Sequence, residues 1–83
     1  DGATPIQIDG CEAPAQALDF SSTGLLAIGD GAGTLLVINF EKGQFRRKRS
    51  KLECGISALA WHPSLPLLAI GHEDGRVMLL SLE

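Results

Sequence analysis

The sequence contains few of the residues that build catalytic or metal centres. Of 83 residues, two are cysteine, two are histidine, one is tryptophan and none is tyrosine. Neither Cys-x-x-Cys nor His-x-x-x-His occurs, so the ligand spacing typical of zinc sites is missing. Two cysteines do not make a disulfide framework. We therefore expect Cys11 and Cys54 to be reduced thiols of an intracellular protein, and a single bridge between them stays open.

Long hydrophobic runs are also absent. No apolar stretch approaches the roughly 18 residues of a membrane-spanning helix, and no leader typical of a signal peptide is present. Hydrophobic residues nevertheless make up 45% of the chain, which is typical of a folded domain and not of a disordered segment. Because the chain begins with Asp1, we expect a processed product or a piece excised from a longer protein.

The charge is unevenly distributed. Residues 41–51 hold six basic residues against one acidic residue, a net charge of +5 in a chain whose total is −3. This basic strip allows two interpretations. It could dock an acidic partner through Arg46, Arg47, Lys48 and Arg49. Alternatively, it is an outer strand whose charges protect a sheet edge from aggregation, and this second interpretation is favoured. Specific nucleic-acid readout is not supported, because Phe45 is the one aromatic side chain available for stacking.

Two stretches of the chain, residues 15–41 and 56–83, form an internal repeat. The five residues Leu25–Gly29 recur unchanged as Leu67–Gly71, at an offset of 42. Before a one-residue gap the offset is 41. Further aligned pairs are Ala17 with Ala58, Leu18 with Leu59, Phe20 with Trp61, and Gly33 with Gly75.

The hydrophobic pattern predicts short β-strands throughout. Each apolar run is ended within a few residues by glycine- or proline-rich turn sequences, which leave no room for a helix of about 10 residues. The segment Gly29–Gly33 superficially resembles a phosphate-binding loop, but a strand and not a helix is predicted after it, so that interpretation is rejected. The predicted strands cover residues 4–8, 17–20, 25–28, 34–40, 44–52, 57–61, 67–71 and 76–82.

A period of about 41 residues with four short strands per unit resembles the WD-repeat β-propeller family. Ala58–Pro63 resembles the family's first strand with its following turn. Leu67–Ser81 resembles the second strand, an Asp-Gly turn and the third strand. The resemblance implies an all-β fold built of propeller blades, each a four-stranded antiparallel sheet. The implied domains are residues 1–10 as the outer strand of a preceding blade, 11–55 as a first blade, and 56–83 as an incomplete second blade of three strands.

The sequence also departs from the family pattern. The Trp-Asp pair that names the family would fall at Ile38-Asn39 and Leu80-Ser81 and is missing from both repeats. The family's structural Asp matches Asp74, while Ala32 takes that place in the first repeat. We therefore expect degenerate blades held by apolar packing more than by the family's buried hydrogen-bond network. Two blades do not close a ring, so further blades from the same or another chain are expected.

The cluster His72-Glu73-Asp74 allows a catalytic or a structural interpretation. Consecutive residues in a tight turn rarely converge on one point, which argues against an acid–base or metal site. We expect a turn in which Asp74 accepts backbone hydrogen bonds and Gly75 takes a positive φ. Family resemblance nominates loop residues that contact partner proteins: Gln16, Asp30, Ser57 and His72, together with Glu73 at the rim. No catalytic, cofactor-binding or metal-binding residue is predicted.

The resemblance implies a non-catalytic scaffold for protein–protein interaction within a multiprotein assembly. A cytoskeletal or ciliary assembly in the cytoplasm is expected, with the nucleus left open, and the basic strip favours a partner with an acidic surface. The alternative is an oligomeric, lectin-like propeller built from short chains, which needs exposed aromatic residues in each repeat. Phe20 and Trp61 occupy matching positions on the first strands, which favours packing between blades over ligand stacking.

Overall fold

The computed structural model describes residues 3–39 and 46–82, and in this part of the chain the secondary structure is entirely β. The predicted all-β fold of antiparallel sheets is therefore confirmed. No helix that could cross a membrane occurs among these residues. The strands are β1 (Ala15–Phe20), β2 (Leu25–Asp30), β3 (Thr34–Asn39), β4 (Arg46–Lys51), β5 (Ile56–Trp61), β6 (Leu67–His72) and β7 (Val77–Ser81).

The strands form two sheets, each of which is an antiparallel meander. The first sheet has the order β1-β2-β3-β4 and the second has the order β5-β6-β7. The repeated sequence LLAIG forms β2 in one sheet and β6 in the other, next to the first strand of each sheet. The chain passes from one sheet to the other between Lys51 and Ile56. The predicted strand ends at residues 40, 44 and 45 lie outside the described residues.

The same irregularity occurs at the start of both sheets. The register of β1 against β2 shifts between Ala15 and Ala17, and that of β5 against β6 shifts between Ile56 and Ala58. Gln16 and Ser57 are therefore the extra residues of two equivalent β-bulges. The repeat thus extends from sequence to the local irregularities of the backbone.

The two sheets pack face to face, with β5 against β1 and β2. Burial along β6 alternates, so that Leu68, Ile70 and His72 point towards the first sheet. This alternation gives β6 one face for the core and one face directed away from it. The core between the sheets consists of Ala27, Leu35, Ile56, Leu68 and Ile70.

The N-terminal segment covers the opposite face of the first sheet. Ile8 and Cys11 pack there on a second apolar cluster, which consists of Leu26, Ile28, Leu36 and Ile38. Residues 3–10 form no strand in this position. Because an outer strand of a preceding blade needs that blade to pair with, its assignment to residues 1–10 stays a prediction. Both cysteines are free thiols, and burial raises the pKa of Cys11, with the nearby Asp30 carboxylate acting in the same direction.

Candidate interaction surface

The turn between β2 and β3 is organised by a buried carboxylate. Asp30 has no exposed surface. Its Oδ2 accepts hydrogen bonds from the backbone N–H groups of Glu12 and Ala13, at 2.8 and 3.1 Å. Its Oδ1 accepts those of Ala32 and Thr34, at 2.9 and 2.8 Å. Burial by itself raises the pKa of Asp30, but these four donors outweigh burial and hold the pKa below its usual range.

The equivalent turn between β6 and β7 is built differently. His72 occupies the place of Asp30, is 7% exposed, and has Nδ1 3.3 Å from the carbonyl oxygen of Cys54. Asp74 is an exposed turn residue that accepts hydrogen bonds from the backbone N–H and the Nε of Arg76, at 3.1 and 2.7 Å. The backbone hydrogen bond from Arg76 is the main reason that the pKa of Asp74 is lowered. Gly75 has a φ of +92°, which favours glycine.

Asp74 and Gly75 lie in the turn that the sequence predicts for them, and the buried carboxylate that holds a turn and a loop together is a further residue, Asp30. One expectation is corrected. The resemblance nominated Asp30 and His72 as loop residues that contact partners, with His72 exposed at the rim, whereas both are buried. The physical reason is that both side chains point inward from the last residue of a strand, where backbone groups of the preceding loop need partners.

Three exposed polar residues lie at the same end of the two sheets, and we call Gln16, Ser57 and Glu73 the rim cluster. With its amide nitrogen directed at the second sheet, Gln16 donates to Glu73 Oε2 at 3.0 Å and to the carbonyl oxygen of Ile56 at 3.2 Å. Glu73 is fixed through its backbone N–H, which donates to the carbonyl of Gly55 at 2.9 Å. Gln16 and Glu73 therefore bridge the first sheet and the second.

Ser57 completes the rim cluster from its β-bulge. Its hydroxyl donates to the carbonyl oxygen of Gly71 at 3.2 Å. A bulge redirects the side chain of the extra residue, and both Gln16 and Ser57 are extra residues of this kind. The sequence nominated all three members of the cluster, but the bulges that position two of them carry no clear signal in the sequence.

The basic strip is divided between the two faces of β4. Arg49 Nη2 and Lys51 Nζ form ion pairs with the two carboxylate oxygens of Glu12, at 2.7 and 2.8 Å. The hydrogen bond from Lys51 is the largest cause of a lowered pKa at Glu12. Lys48 is exposed on the other face, where it lines the gap towards the second sheet. The side chains of Arg46 and Arg47 lie outside what the structure describes.

A pair of hydrogen bonds joins the first strands of the two sheets. The backbone N–H of Trp61 donates to Asp19 Oδ2, and its indole Nε1 donates to the Asp19 carbonyl, each at 2.9 Å. Trp61 also packs against the core between the sheets. Trp61 therefore packs between the sheets, which is the role that its alignment with Phe20 in the repeat favours. The role of Asp19 had no signal in the sequence, because Ala60 occupies its place in the second repeat.

Among the residues that the structure describes, no three His, Cys, Asp or Glu side chains are grouped so that they could hold a metal ion. No curated protein matches the chain. The family described as the anaphase-promoting complex subunit 4 WD40 domain matches residues 25–83, which run from β2 to the end of the chain and make up well over half of it. WD40 domains generally mediate protein–protein interactions. With its repeat, its two antiparallel sheets and this match, the chain belongs to the family of the anaphase-promoting complex subunit 4 WD40 domain.

Proposed function

We propose that this chain is a non-catalytic protein-interaction scaffold that contributes two blades to a WD-repeat propeller within a multiprotein assembly. The observation that carries the proposal is the rim cluster. Gln16, Ser57 and Glu73 are exposed, yet each is held by a hydrogen bond to the backbone or to another member of the cluster. Polar groups presented in a fixed arrangement bind with little loss of conformational entropy, which suits a recognition surface.

The outer face of the second sheet supports a place beside a further blade. Val77 and Leu79 point away from the first sheet and are 73% and 68% exposed. They share that face with Ala58 and Ala60, which are also exposed. A contiguous apolar face of this kind marks a surface that another protein layer covers. The packing of the second sheet on the first gives the geometry that such a layer would follow.

The proposal also concerns the kind of assembly to which the chain belongs. The matched family is named for a subunit of a multiprotein complex, which supports a place among several subunits. The basic strip, through Arg46, Arg47, Lys48 and Arg49, favours a partner with an acidic surface, as on cytoskeletal or ciliary components in the cytoplasm. A lectin-like function has less support, because Phe20 is the one aromatic among the exposed large hydrophobic residues that the structure describes.

Co-purification of native partners with the full chain tests the proposal. Ser57→Arg puts a long charged side chain into the rim cluster, and Ser22→Arg puts the same side chain on the exposed turn between β1 and β2. We expect the Ser57 variant to lose at least one partner tenfold or more and the Ser22 variant to keep all of them. Equal recovery of every partner by both variants would remove the rim cluster from the proposal.

The basic strip is tested separately. Charge reversal of Arg46, Arg47 and Arg49 to glutamate reverses the charge on β4 while the apolar core stays intact. We expect weaker recovery of partners with acidic surfaces and a smaller effect of added salt on what remains. Unimpaired binding of every native partner would show that the strip only protects a sheet edge.

A further inference from the structure

The rim cluster uses its side-chain hydrogen-bond donors within the chain. Both hydrogens of the Gln16 amide are directed at acceptors of the second sheet, Glu73 Oε2 and the carbonyl oxygen of Ile56. The hydroxyl hydrogen of Ser57 is directed at the carbonyl oxygen of Gly71. A carboxylate has no hydrogen to donate. The side-chain groups that remain for a partner are therefore acceptors: the oxygen atoms of an amide, a hydroxyl and a carboxylate.

Two acceptor oxygens converge beside Gly55, where the two sheets meet. A Cβ on Gly55 would lie 2.5 Å from Glu73 Oε1 and 2.5 Å from the carbonyl oxygen of Gly31. The two oxygens are therefore no farther apart than twice that distance. A nitrogen that donates to both of them at about 2.8 Å spans such a separation. The absence of a side chain at Gly55 thus leaves room for one donor between two oxygens.

The amide of Gln16 adds a third oxygen to this place. One of its two terminal atoms would lie 2.8 Å from a Cβ on Gly31. Because the amide nitrogen is directed at the second sheet, the atom beside Gly31 is the oxygen. Gln16 belongs to the bulge of β1, Gly31 to the turn after β2, and Glu73 to the turn after β6. The three oxygens are thus brought together by the packing of the two sheets within this chain.

Glu73 differs from its neighbours in the way its charge is balanced. Glu12 is ion-paired with two basic side chains of β4, and Asp74 is ion-paired with Arg76. In the part of the chain that the structure describes, no basic side chain is ion-paired with Glu73. Because the basic residues at this end bind other carboxylates, the charge of Glu73 is left to attract a cation of another molecule.

The arrangement suits a lysine better than an arginine. A guanidinium group typically binds a carboxylate through two parallel hydrogen bonds, which occupy both oxygens. Oε2 of Glu73 already accepts a hydrogen bond from Gln16, so Oε1 is left. An ammonium group is compact and carries three donors and no acceptor, which matches separate oxygens from different parts of the chain.

We propose that the rim cluster binds the ammonium group of a lysine side chain of a partner protein. The ammonium group donates to Glu73 Oε1, to the carbonyl oxygen of Gly31 and to the amide oxygen of Gln16. The proposal rests on the scaffold function and names the chemical group that this function recognises at the rim cluster. The contact is separate from the basic strip, which lies on β4 and favours a partner surface of the opposite charge.

The charge of Glu73 is tested by co-purification of native partners with the full chain. Glu73→Gln removes the charge and keeps an acceptor for Gln16, so the hydrogen bond that joins the sheets is preserved. Glu53→Gln is the matched control, because it removes the same charge from an exposed side chain in the loop before β5. We expect the Glu73 variant to lose at least one partner tenfold or more and the Glu53 variant to keep all of them. Equal recovery by both variants would overturn the proposal, and Trp61 fluorescence shows whether each variant keeps its fold.

A peptide titration tests the chemistry with the chain intact. The probes are acetyl-Gly-X-Gly-amide peptides in which X is lysine, Nε-acetyl-lysine or arginine, followed by the backbone amide resonances of the full chain at low salt. We expect the lysine peptide to shift Gly31, Gly55 and Glu73 saturably, and to bind more weakly as salt is added. The acetyl-lysine peptide, which lacks the charge, should bind at least tenfold more weakly, and the arginine peptide should bind more weakly than the lysine peptide.

Three results of the titration would overturn the proposal. They are equal binding of lysine and acetyl-lysine, arginine binding at least as tight as lysine, and no saturable shift at Gly31, Gly55 or Glu73. The scaffold function is judged separately by Ser57→Arg. If that variant still loses native partners while the lysine peptide fails, the scaffold function stands and the lysine contact does not.

Discussion

The turn that joins β2 to β3 and the turn that joins β6 to β7 lie at the same position of the repeat, but different groups hold them. In the first, the buried Asp30 accepts four backbone N–H groups, two of them from the loop before β1. In the second, the buried His72 contacts one carbonyl oxygen of the loop before β5. The carboxylate of that turn, Asp74, is on the surface and bonds to Arg76.

The comparison separates what the repeat fixes from what it leaves free. Both sheets share the strand register, the β-bulge and a turn glycine with positive φ, Gly33 or Gly75. The group that anchors the loop to the turn is not shared. The same backbone geometry therefore recurs in two repeats. The buried side chain that bonds to the preceding loop is an aspartate in one repeat and a histidine in the other.

Removal of the Asp30 carboxylate should have the largest effect. Asp30→Ala leaves four backbone N–H groups without their acceptor, in a site with no exposed surface. We expect a loss of about 4 kcal/mol in the free energy of unfolding, since each unsatisfied buried donor costs on the order of 1 kcal/mol or more. Urea denaturation measures it. Asp74→Ala is the matched control, and its midpoint should stay close to that of the wild type.

The turn glycines give the next largest difference. A Cβ on Gly33 would lie 2.5 Å from the carbonyl oxygen of Leu52, whereas a Cβ on Gly75 would meet nothing within 4 Å. Both have positive φ, so each substitution by alanine carries backbone strain of about 1 kcal/mol. We expect Gly33→Ala to cost at least twice as much as Gly75→Ala in thermal denaturation. Equal costs would mean that the loop at Leu52 moves aside freely.

The contact between Asp19 and Trp61 should have a moderate effect. Asp19→Ala removes the acceptor of the Trp61 backbone N–H, and Trp61→Phe removes the indole donor to the Asp19 carbonyl. Each change should lower the free energy of unfolding by about 1 kcal/mol beyond the packing loss of the indole. Because the two changes remove different hydrogen bonds, their costs should add in the double variant when measured by urea denaturation. No cost from either single change beyond the packing loss would show that the pair does not join the sheets.

The smallest expected effect is the change in stability at acid pH. Because the folded pKa of Asp30 is held below the ordinary value of 3.8, its ionised form stabilises the fold above that pH. This stabilisation is lost as the pH falls through the folded pKa. We expect the difference in urea midpoint between the wild type and Asp30→Asn to be constant near neutral pH and to shrink below pH 3.8. A difference that grows towards acid pH would contradict the lowered pKa.

Much of the fold could be predicted from the sequence, because local signals determine it. The repeated LLAIG and the glycine turns after it located β2 and β6, and these strands fix the pairing of their neighbours. The family assignment followed from the same stretch, which lies within the matched residues. Strand existence depends on apolar patterns over a few residues, and these are visible in one sequence.

The groups that anchor the loops could not be predicted in this way. Asp30 bonds to Glu12 and Ala13, and Glu12 in turn binds Arg49 and Lys51, which lie nearly 40 residues further along the chain. Such contacts depend on how the N-terminal segment lies across the first sheet, and no local pattern encodes that path. An aspartate at a strand end before a glycine turn looks the same whether it faces solvent or a loop.

Hydrogen exchange of the full chain, free and within its native assembly, tests the scaffold function most directly. If the chain acts as a scaffold through the rim cluster, assembly should slow exchange at residues 55–57 and at Glu73. The turn between β1 and β2, residues 21–24 at the opposite end of the sheets, should exchange at the same rate in both states. Slowed exchange at residues 21–24 alone, or no slowing anywhere in the chain, would contradict the proposed function.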